Sequence, residues 1–220
     1  MAFAYPVALE LAGRRVLVIG EIAVREGKVA ALLAGGADDV VVIAEEPAER
    51  LSVLERTGVV RVVRRRWRET DLDGAFLCVG SGADSLERDA IAAAARARRV
   101  LLNVVDDPSN CDWSAPAVIR RGDLVIAVST GGASPALAKQ LRARLSETFG
   151  EEWSEIVSVL RRVREATLPA IPSIAERSRR WSQALDLGEA AELATAGRLD
   201  ELERRLRDRL LRRGPTEAAS

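Results

Sequence analysis

Residues 15–20 read Arg15-Val16-Leu17-Val18-Ile19-Gly20, a short β-branched run closed by a glycine. A continuous apolar run of this length, with no alternation of polar residues, predicts a strand covered on both faces, as in a parallel sheet. Working outward from it, helical spacing from Val24 to Leu33 stops at Gly35-Gly36, a helix-ending signal. Val40–Ile43 predicts a second buried strand, Ala48–Arg56 a helix and Val59–Val63 a third strand. Phe76–Val79 predicts a fourth strand, the Ala-rich stretch Leu86–Arg98 a helix, and Val100–Val105 a fifth strand. Strands alternating with helices at this rhythm predict an α/β domain over residues 1–113, a parallel sheet with helices on both faces.

Beyond residue 113 the rhythm changes. Ala117–Arg120 and Leu124–Ser129 predict two strands joined by the Arg121-Gly122-Asp123 turn, and a helix is expected from Ala136 to Thr148. From Trp153 onward the pattern is helical, broken near Pro169 and Pro172, with a last helix, Leu199–Arg212, that is leucine-rich on one face. The expected organisation is therefore a sheet domain (1–113), an intermediate segment (114–150) and a small C-terminal helical domain (151–220).

Composition narrows the chemistry. The 220 residues hold 33 Lys plus Arg against 33 Asp plus Glu, so no global basic field argues for a nucleic-acid partner. There is no histidine, which excludes a histidine general base and a Ser-His-Asp triad. Cys78 and Cys111 form no CxxC pair, which argues against a zinc site of the Cys/His type. Both are expected in structural roles. Met1-Ala2-Phe3-Ala4-Tyr5-Pro6 lacks the features of a signal peptide, and no apolar run is long enough to span a bilayer. The expectation is a cytoplasmic protein with no membrane partner.

Four places could carry chemistry. The turn after Ile19 is where a dinucleotide-binding fold sets its glycine-rich loop. Of that pattern only Gly20 is present, with Glu21, Ile22 and Arg25 in the following positions. Ala44-Glu45 ends the second strand, where a carboxylate can accept hydrogen bonds from a ribose diol or can simply be a solvated loop acid. Asn103-Val104-Val105-Asp106-Asp107-Pro108 puts two carboxylates after a buried strand. Asp106 could act as a general base or face a metal ion, or it could cap a turn made by Asp107-Pro108. Ser129-Thr130-Gly131-Gly132-Ala133-Ser134-Pro135 precedes a helix, with Lys139 and Arg142 one to two turns on. That loop suits an acidic group, or Ser134 simply caps the helix with Pro135 at its first position. The run Arg64-Arg65-Arg66-Trp67-Arg68 is expected to be a solvated face.

Together these segments resemble the precorrin-2 dehydrogenase / sirohydrochlorin ferrochelatase family, whose module also stands at the N-terminus of siroheme synthase. The resemblance is carried by Leu72-Asp73-Gly74-Ala75-Phe76-Leu77, by Asn103–Pro108, and by Ala127–Ala138 with its Ser129–Pro135 core. It implies a Rossmann-like NAD-binding domain, a dimerisation segment and a helical domain, assembled as a homodimer. It implies oxidation of precorrin-2 to sirohydrochlorin with NAD, and in some members insertion of Fe2+ or Co2+. By resemblance, Asp106 is the catalytic and metal-facing residue. NAD contacts fall on Gly20, Ala23, Val24, Ala44 and Glu45. The tetrapyrrole falls to Ser129, Thr130, Gly131, Gly132, Ser134 and Lys139, with Arg120, Arg121 and Arg142 available for its carboxylates. The chain departs from the family at Gly20-Glu21-Ile22, where three glycines are usual, and at Gly82-Ala83, where Thr-Asp or Thr-Asn is usual. A metal chelatase, or a tetrapyrrole-binding homologue without NAD, therefore stays open as an alternative.

Overall fold

The computed structural model describes residues 5–20, 27–46, 49–56 and 58–212. The chain forms two compact units, Met1–Ala115 and Pro116–Ser220.

The first unit runs β1 (Arg15–Ile19), α1 (Lys28–Ala34), β2 (Asp39–Ile43), α2 (Arg50–Arg56), β3 (Val60–Val63), β4 (Leu77–Gly80), α3 (Ser85–Arg98) and β5 (Leu101–Val104). Its five strands are all parallel, in the order β3-β2-β1-β4-β5. The expected helix start at Val24 and the residue Ala48 lie outside the described residues. Successive strand side chains point to opposite faces, and this splits the apolar runs between two cores. Val16, Val18, Val40, Val42, Leu77 and Val79 pack with Val29 and Leu32 of α1 and Leu51 of α2. Leu17, Ile19, Val41, Ile43 and Cys78 pack with Ile91, Ala92 and Ala95 of α3 on the other face. Burial on both sides is why β1 and β2 read as unbroken hydrophobic runs.

An edge strand exposes unpaired backbone groups and must be covered. On β5 the segment after the strand does this. Leu102 donates its N–H to Asp112 Oδ2 at 3.0 Å, Asp112 returns its own N–H to the Leu102 carbonyl at 2.7 Å, and Val104 donates to Cys111 Sγ at 3.1 Å. Cys111 is thus an edge-sealing residue, and burial pushes its thiol pKa up. Cys78 lies fully in the core, where burial has the same effect.

The carboxyl ends of β1, β2 and β4 are tied together at one point. Gly20 donates its N–H to Ile43 O, and Ser81 donates to Ile19 O, both at 2.8 Å. Gly20 has a φ of 86°, and a Cβ there would lie 2.3 Å from the Ser81 carbonyl oxygen. Only glycine satisfies both conditions.

The second unit begins with an antiparallel pair, β6 (Ala117–Arg121) and β7 (Leu124–Val128). Then come α4 (Pro135–Thr148), α5 (Trp153–Thr167), α6 (Ile174–Ala184), α7 (Leu187–Thr195) and α8 (Leu199–Leu211). Ile156, Val159 and Val163 of α5 and Leu202, Leu206 and Leu210 of α8 recur at helical spacing and share one core. Ser173 and Asp186 accept the N–H groups of Glu176 and Glu189 and cap α6 and α7. Among the described residues no helix is long and apolar enough to cross a membrane.

Replacing Gly20 by Ala is expected to destabilise the chain by about 2 kcal/mol or more, since a left-handed L-residue alone costs about 1–2 kcal/mol and the Cβ adds a clash with backbone. Chemical denaturation followed by circular dichroism measures this. An unchanged midpoint would show that the contact with Ser81 is not limiting.

Candidate functional site

The chain winds from β1 outward to β3 on one side, then returns to β4 and β5 on the other. At that reversal the connections leave β1 and β4 in opposite directions, and open α/β sheets bind ligands in the crevice this leaves. A cleft of about 550 Å³ opens there. Gly20, Ala44 and Glu45 line it, as expected from sequence, together with Arg65, Arg66, Trp67, the Ser81–Asp84 turn, Leu86 and Glu87. The expected contacts at Ala23 and Val24, and the substituted loop positions Glu21 and Ile22, lie outside the described residues.

Of the residues after β3, Arg64, Arg66 and Arg68 are exposed, as a solvated face requires, whereas Arg65 and Trp67 are half-buried. Arg64 donates twice to Glu55, at 2.9 and 2.6 Å, and Arg65 donates twice to Asp71, at 2.8 and 2.6 Å. Those guanidiniums hold both carboxyls below the usual carboxylate range. Arg66 Nε donates to Glu45 Oε2 at 3.2 Å. Trp67 is half-buried, and its indole N–H donates to Glu87 Oε1 at 3.0 Å. The other oxygen of Glu87 accepts from the Ala83 N–H at 2.6 Å, while Asp84 accepts from the Glu87 N–H at 2.8 Å and caps α3. One carboxylate therefore fixes the Trp67 ring and the Gly82-Ala83 turn together. A Cβ on Gly82 would sit 2.8 Å from the Arg88 backbone nitrogen. That close approach excludes a larger residue without a shift. The signal that could have found Arg66 and Trp67 was their position: they come shortly after β3, which ends at Val63, at the carboxyl edge of the parallel sheet.

Asp106 stands at the same edge, after β5, and does not line the cleft. It has a φ of 57°, one of two non-glycine residues in the left-handed region among those described. Asp is among the few residues that tolerate this conformation. The alternative in which Asp106 caps the turn is corrected: the turn Pro108–Asn110 follows Asp107, whose carboxylate engages side chains of that turn and makes no backbone cap. Asp107 accepts from the Ser109 hydroxyl at 2.5 Å and from Asn110 Nδ2 at 2.9 Å, with Arg88 Nε 3.5 Å away. These hydrogen bonds, the Ser109 one foremost, lower its pKa. Asp106 is exposed, and among the described residues no hydrogen bond or ion pair engages its carboxylate.

In the second unit, Ser134 accepts the Leu137 N–H at 3.1 Å, so it caps α4 with Pro135 behind it. Thr130 Oγ1 donates to the Ser134 carbonyl and accepts the Ser134 N–H, both at 3.1 Å, and Ser129 Oγ accepts from Gly131 N at 3.3 Å. The hydroxyls thus shape the loop around Gly131 and Gly132, which have φ values of 60° and 85°. Lys139 is exposed on α4. A hollow of about 410 Å³ is lined by Arg120, Arg121, Arg142 and Glu147. Arg121 is not available to a ligand in the way expected: it donates to Phe149 O at 3.0 Å and Ser146 Oγ at 2.8 Å and pairs with Glu151 at 3.2 Å.

Sheet order, glycine turn and cleft define a Rossmann-like protein, a class whose members commonly bind a dinucleotide. The donor set fits the adenosine half of one: Glu45 can accept from ribose hydroxyls, and Ile19, Ile43 and Trp67 offer apolar surface. A family model described as "Putative NAD(P)-binding" matches residues 7–117, and one described as "Sirohaem biosynthesis protein central" matches residues 121–148. The siroheme synthase of Methylococcus capsulatus is 37% identical over 201 residues, covering 90% of this chain and 42% of that protein. The siroheme synthase of Pseudomonas entomophila is 35% identical, covering 91% and 43%. The chain thus spans less than half the length of these curated relatives. The solved structure of SirC, precorrin-2 dehydrogenase, matches with a TM-score of 0.69 at 25% identity, covering 93% of this chain and all of that one. The chain belongs to the precorrin-2 dehydrogenase / sirohydrochlorin ferrochelatase family, whose module siroheme synthases also contain.

Asp106→Asn is expected to change stability by less than about 0.5 kcal/mol, because Asn also accepts a left-handed backbone, whereas Asp106→Ala is expected to lose about 1 kcal/mol. Urea unfolding of the two variants checks this. Equal effects would mean that the backbone of residue 106 relaxes freely.

Proposed function

We propose that this chain oxidises precorrin-2 to sirohydrochlorin with NAD+, in the cytoplasm, as a step of siroheme synthesis. The observation that carries the proposal is the unengaged carboxylate of Asp106, held in a left-handed backbone at the edge of the sheet that carries the dinucleotide cleft. The breadth of the match to SirC favours the dehydrogenase activity, because that protein is covered over its whole length whereas the synthases are covered over less than half.

Two hydrogens leave the macrocycle, one as hydride and one as a proton. NAD+, when bound, supplies the hydride acceptor. Asp106 takes the proton, acting as a general base. Glu45 orients the ribose, and Glu87 holds the wall made by Trp67 and Ala83. The macrocycle carries many carboxylates. For these, the Gly132 backbone N–H and the hydroxyls of Ser129 and Ser134, which only accept within their loop, offer hydrogen bonds, and Lys139, Arg120 and Arg142 offer charge-assisted ones; the Thr130 hydroxyl and the Gly131 N–H are already donated inside the loop. A second reading uses the same carboxylate: with Fe2+ or Co2+ as substrate, Asp106 would receive the pyrrole protons as the metal enters the ring. The intermediate segment 114–150 would form a homodimer interface. In support, α4 has no buried residue, and Leu137, Leu141 and Val125 are 47%, 38% and 47% exposed. A two-stranded sheet such as β6-β7 is marginal without further packing.

Anaerobic incubation with precorrin-2 is expected to produce the sirohydrochlorin absorbance with NAD+ and not without it. Asp106→Asn is expected to slow this at least about 100-fold, the usual worth of a general base. Normal turnover by the variant would remove Asp106 from the mechanism, and turnover of sirohydrochlorin with metal alone would favour the second reading. In sedimentation velocity the chain is expected to run as a dimer and Leu141→Asp as a monomer. A monomeric wild type would contradict the assigned interface.

A further inference from the structure

The three arginines after β3 are held differently. Arg64 and Arg65 each spend two terminal nitrogens on a carboxylate, Glu55 and Asp71 respectively. Arg66 gives only Nε, to Glu45 Oε2 at 3.2 Å. Among the described residues no hydrogen bond engages its two terminal nitrogens. Its side chain is 83% exposed at the cleft, and that of Glu45 is 56% exposed.

In this fold an acid at the end of the second strand selects a ribose with a free 2′-hydroxyl, and a nearby arginine accommodates a 2′-phosphate. Here both devices are present and lie on one another. We propose that the Glu45–Arg66 pair makes the cleft accept NADP+ as well as NAD+, with Arg66 the residue that determines tolerance of the 2′-phosphate. This rests on the dinucleotide reading of the cleft and deepens it.

The physical argument is one of charge and geometry. An unpaired Glu45 would repel a 2′-phosphate. Paired with Arg66, it presents no net charge at the ribose, so that repulsion is cancelled. Glu45 Oε1 stays open for a ribose hydroxyl. The terminal nitrogens of Arg66 stay open for phosphate oxygens, which a planar guanidinium meets two at a time. Anchoring through Nε limits the orientations of the fork. Arg65 cannot substitute, since its fork is closed on Asp71. Because the pair is exposed, salt screens it, and the effect is moderate and falls with ionic strength.

Isothermal calorimetry of the full chain, without tetrapyrrole, tests this with NAD+ and NADP+ as the probes, at low and high salt. The expected NADP+ affinity lies within about tenfold of that for NAD+, the range one charged contact can set. Arg66→Ala is expected to weaken NADP+ about tenfold and NAD+ less than about threefold, with partial recovery in Arg66→Lys and convergence of the two ligands at high salt. Glu45→Gln is expected to do the reverse, weakening NAD+ more than NADP+. Circular dichroism spectra of the variants show that the fold is kept. The proposal is overturned if NAD+ binds and NADP+ does not, or if Arg66→Ala weakens both equally. If neither dinucleotide binds the wild type, the dinucleotide reading itself fails and this proposal goes with it.

Discussion

The contact between Gly20 and Ser81 is where sheet geometry becomes a binding site. A missing side chain at Gly20 lets the turn after β1 close against the carbonyl and hydroxyl of Ser81, while the Gly20 N–H reaches across to Ile43. The ends of β1, β2 and β4 are thereby fixed relative to one another. The cleft walls hang from those ends: Ala44 and Glu45 from β2, and the Ser81–Asp84 turn and the capped start of α3 from β4. The acid is then held by Arg66, and the capped turn by Glu87 and Asp84.

Around that frame, the walls are set by charges the chain supplies to itself. Glu87 is spent on Trp67 and Ala83, Asp71 on Arg65, and Asp107 on Ser109 and Asn110. Among the described residues, Asp106 is a carboxylate at the sheet edge that no hydrogen bond or ion pair engages, and it sits in a conformation most residues avoid. Strained, unengaged groups of this kind concentrate at working sites because stability does not select for them. In the proposed function this acid removes a proton from an acidic tetrapyrrole.

Much of the fold was legible because parallel strands buried on both faces leave unbroken runs such as Arg15–Ile19 and Val40–Ile43, which few other structures produce. Boundaries moved by a residue or two, where strand ends are set by neighbours rather than by composition; β4, for instance, keeps Gly80 because it pairs with Ile19 and Val104. The cleft was half legible. Gly20 and Glu45 follow strands and carry a recognisable chemistry. Arg66 and Trp67 follow a strand too, but sit in a basic run that reads as surface until the pairing of Arg64 and Arg65 is seen. The division of labour between Asp106 and Asp107 was not legible, since both carboxylates precede the same proline and only backbone geometry separates them. Nor were the partners of Thr130 and Ser134, whose hydroxyls take part in the hydrogen bonds that shape their own loop.

The claim on which the account turns is that the dinucleotide lies along the carboxyl edge with its reactive end toward β5. A crystal structure of the chain with NAD+ measures this directly. The account predicts the adenosine ribose at Glu45, the pyrophosphate at the Gly20 turn and the nicotinamide on the side of the sheet where Asp106 stands. A nicotinamide directed beyond β3, or a dinucleotide bound outside the cleft, would contradict it.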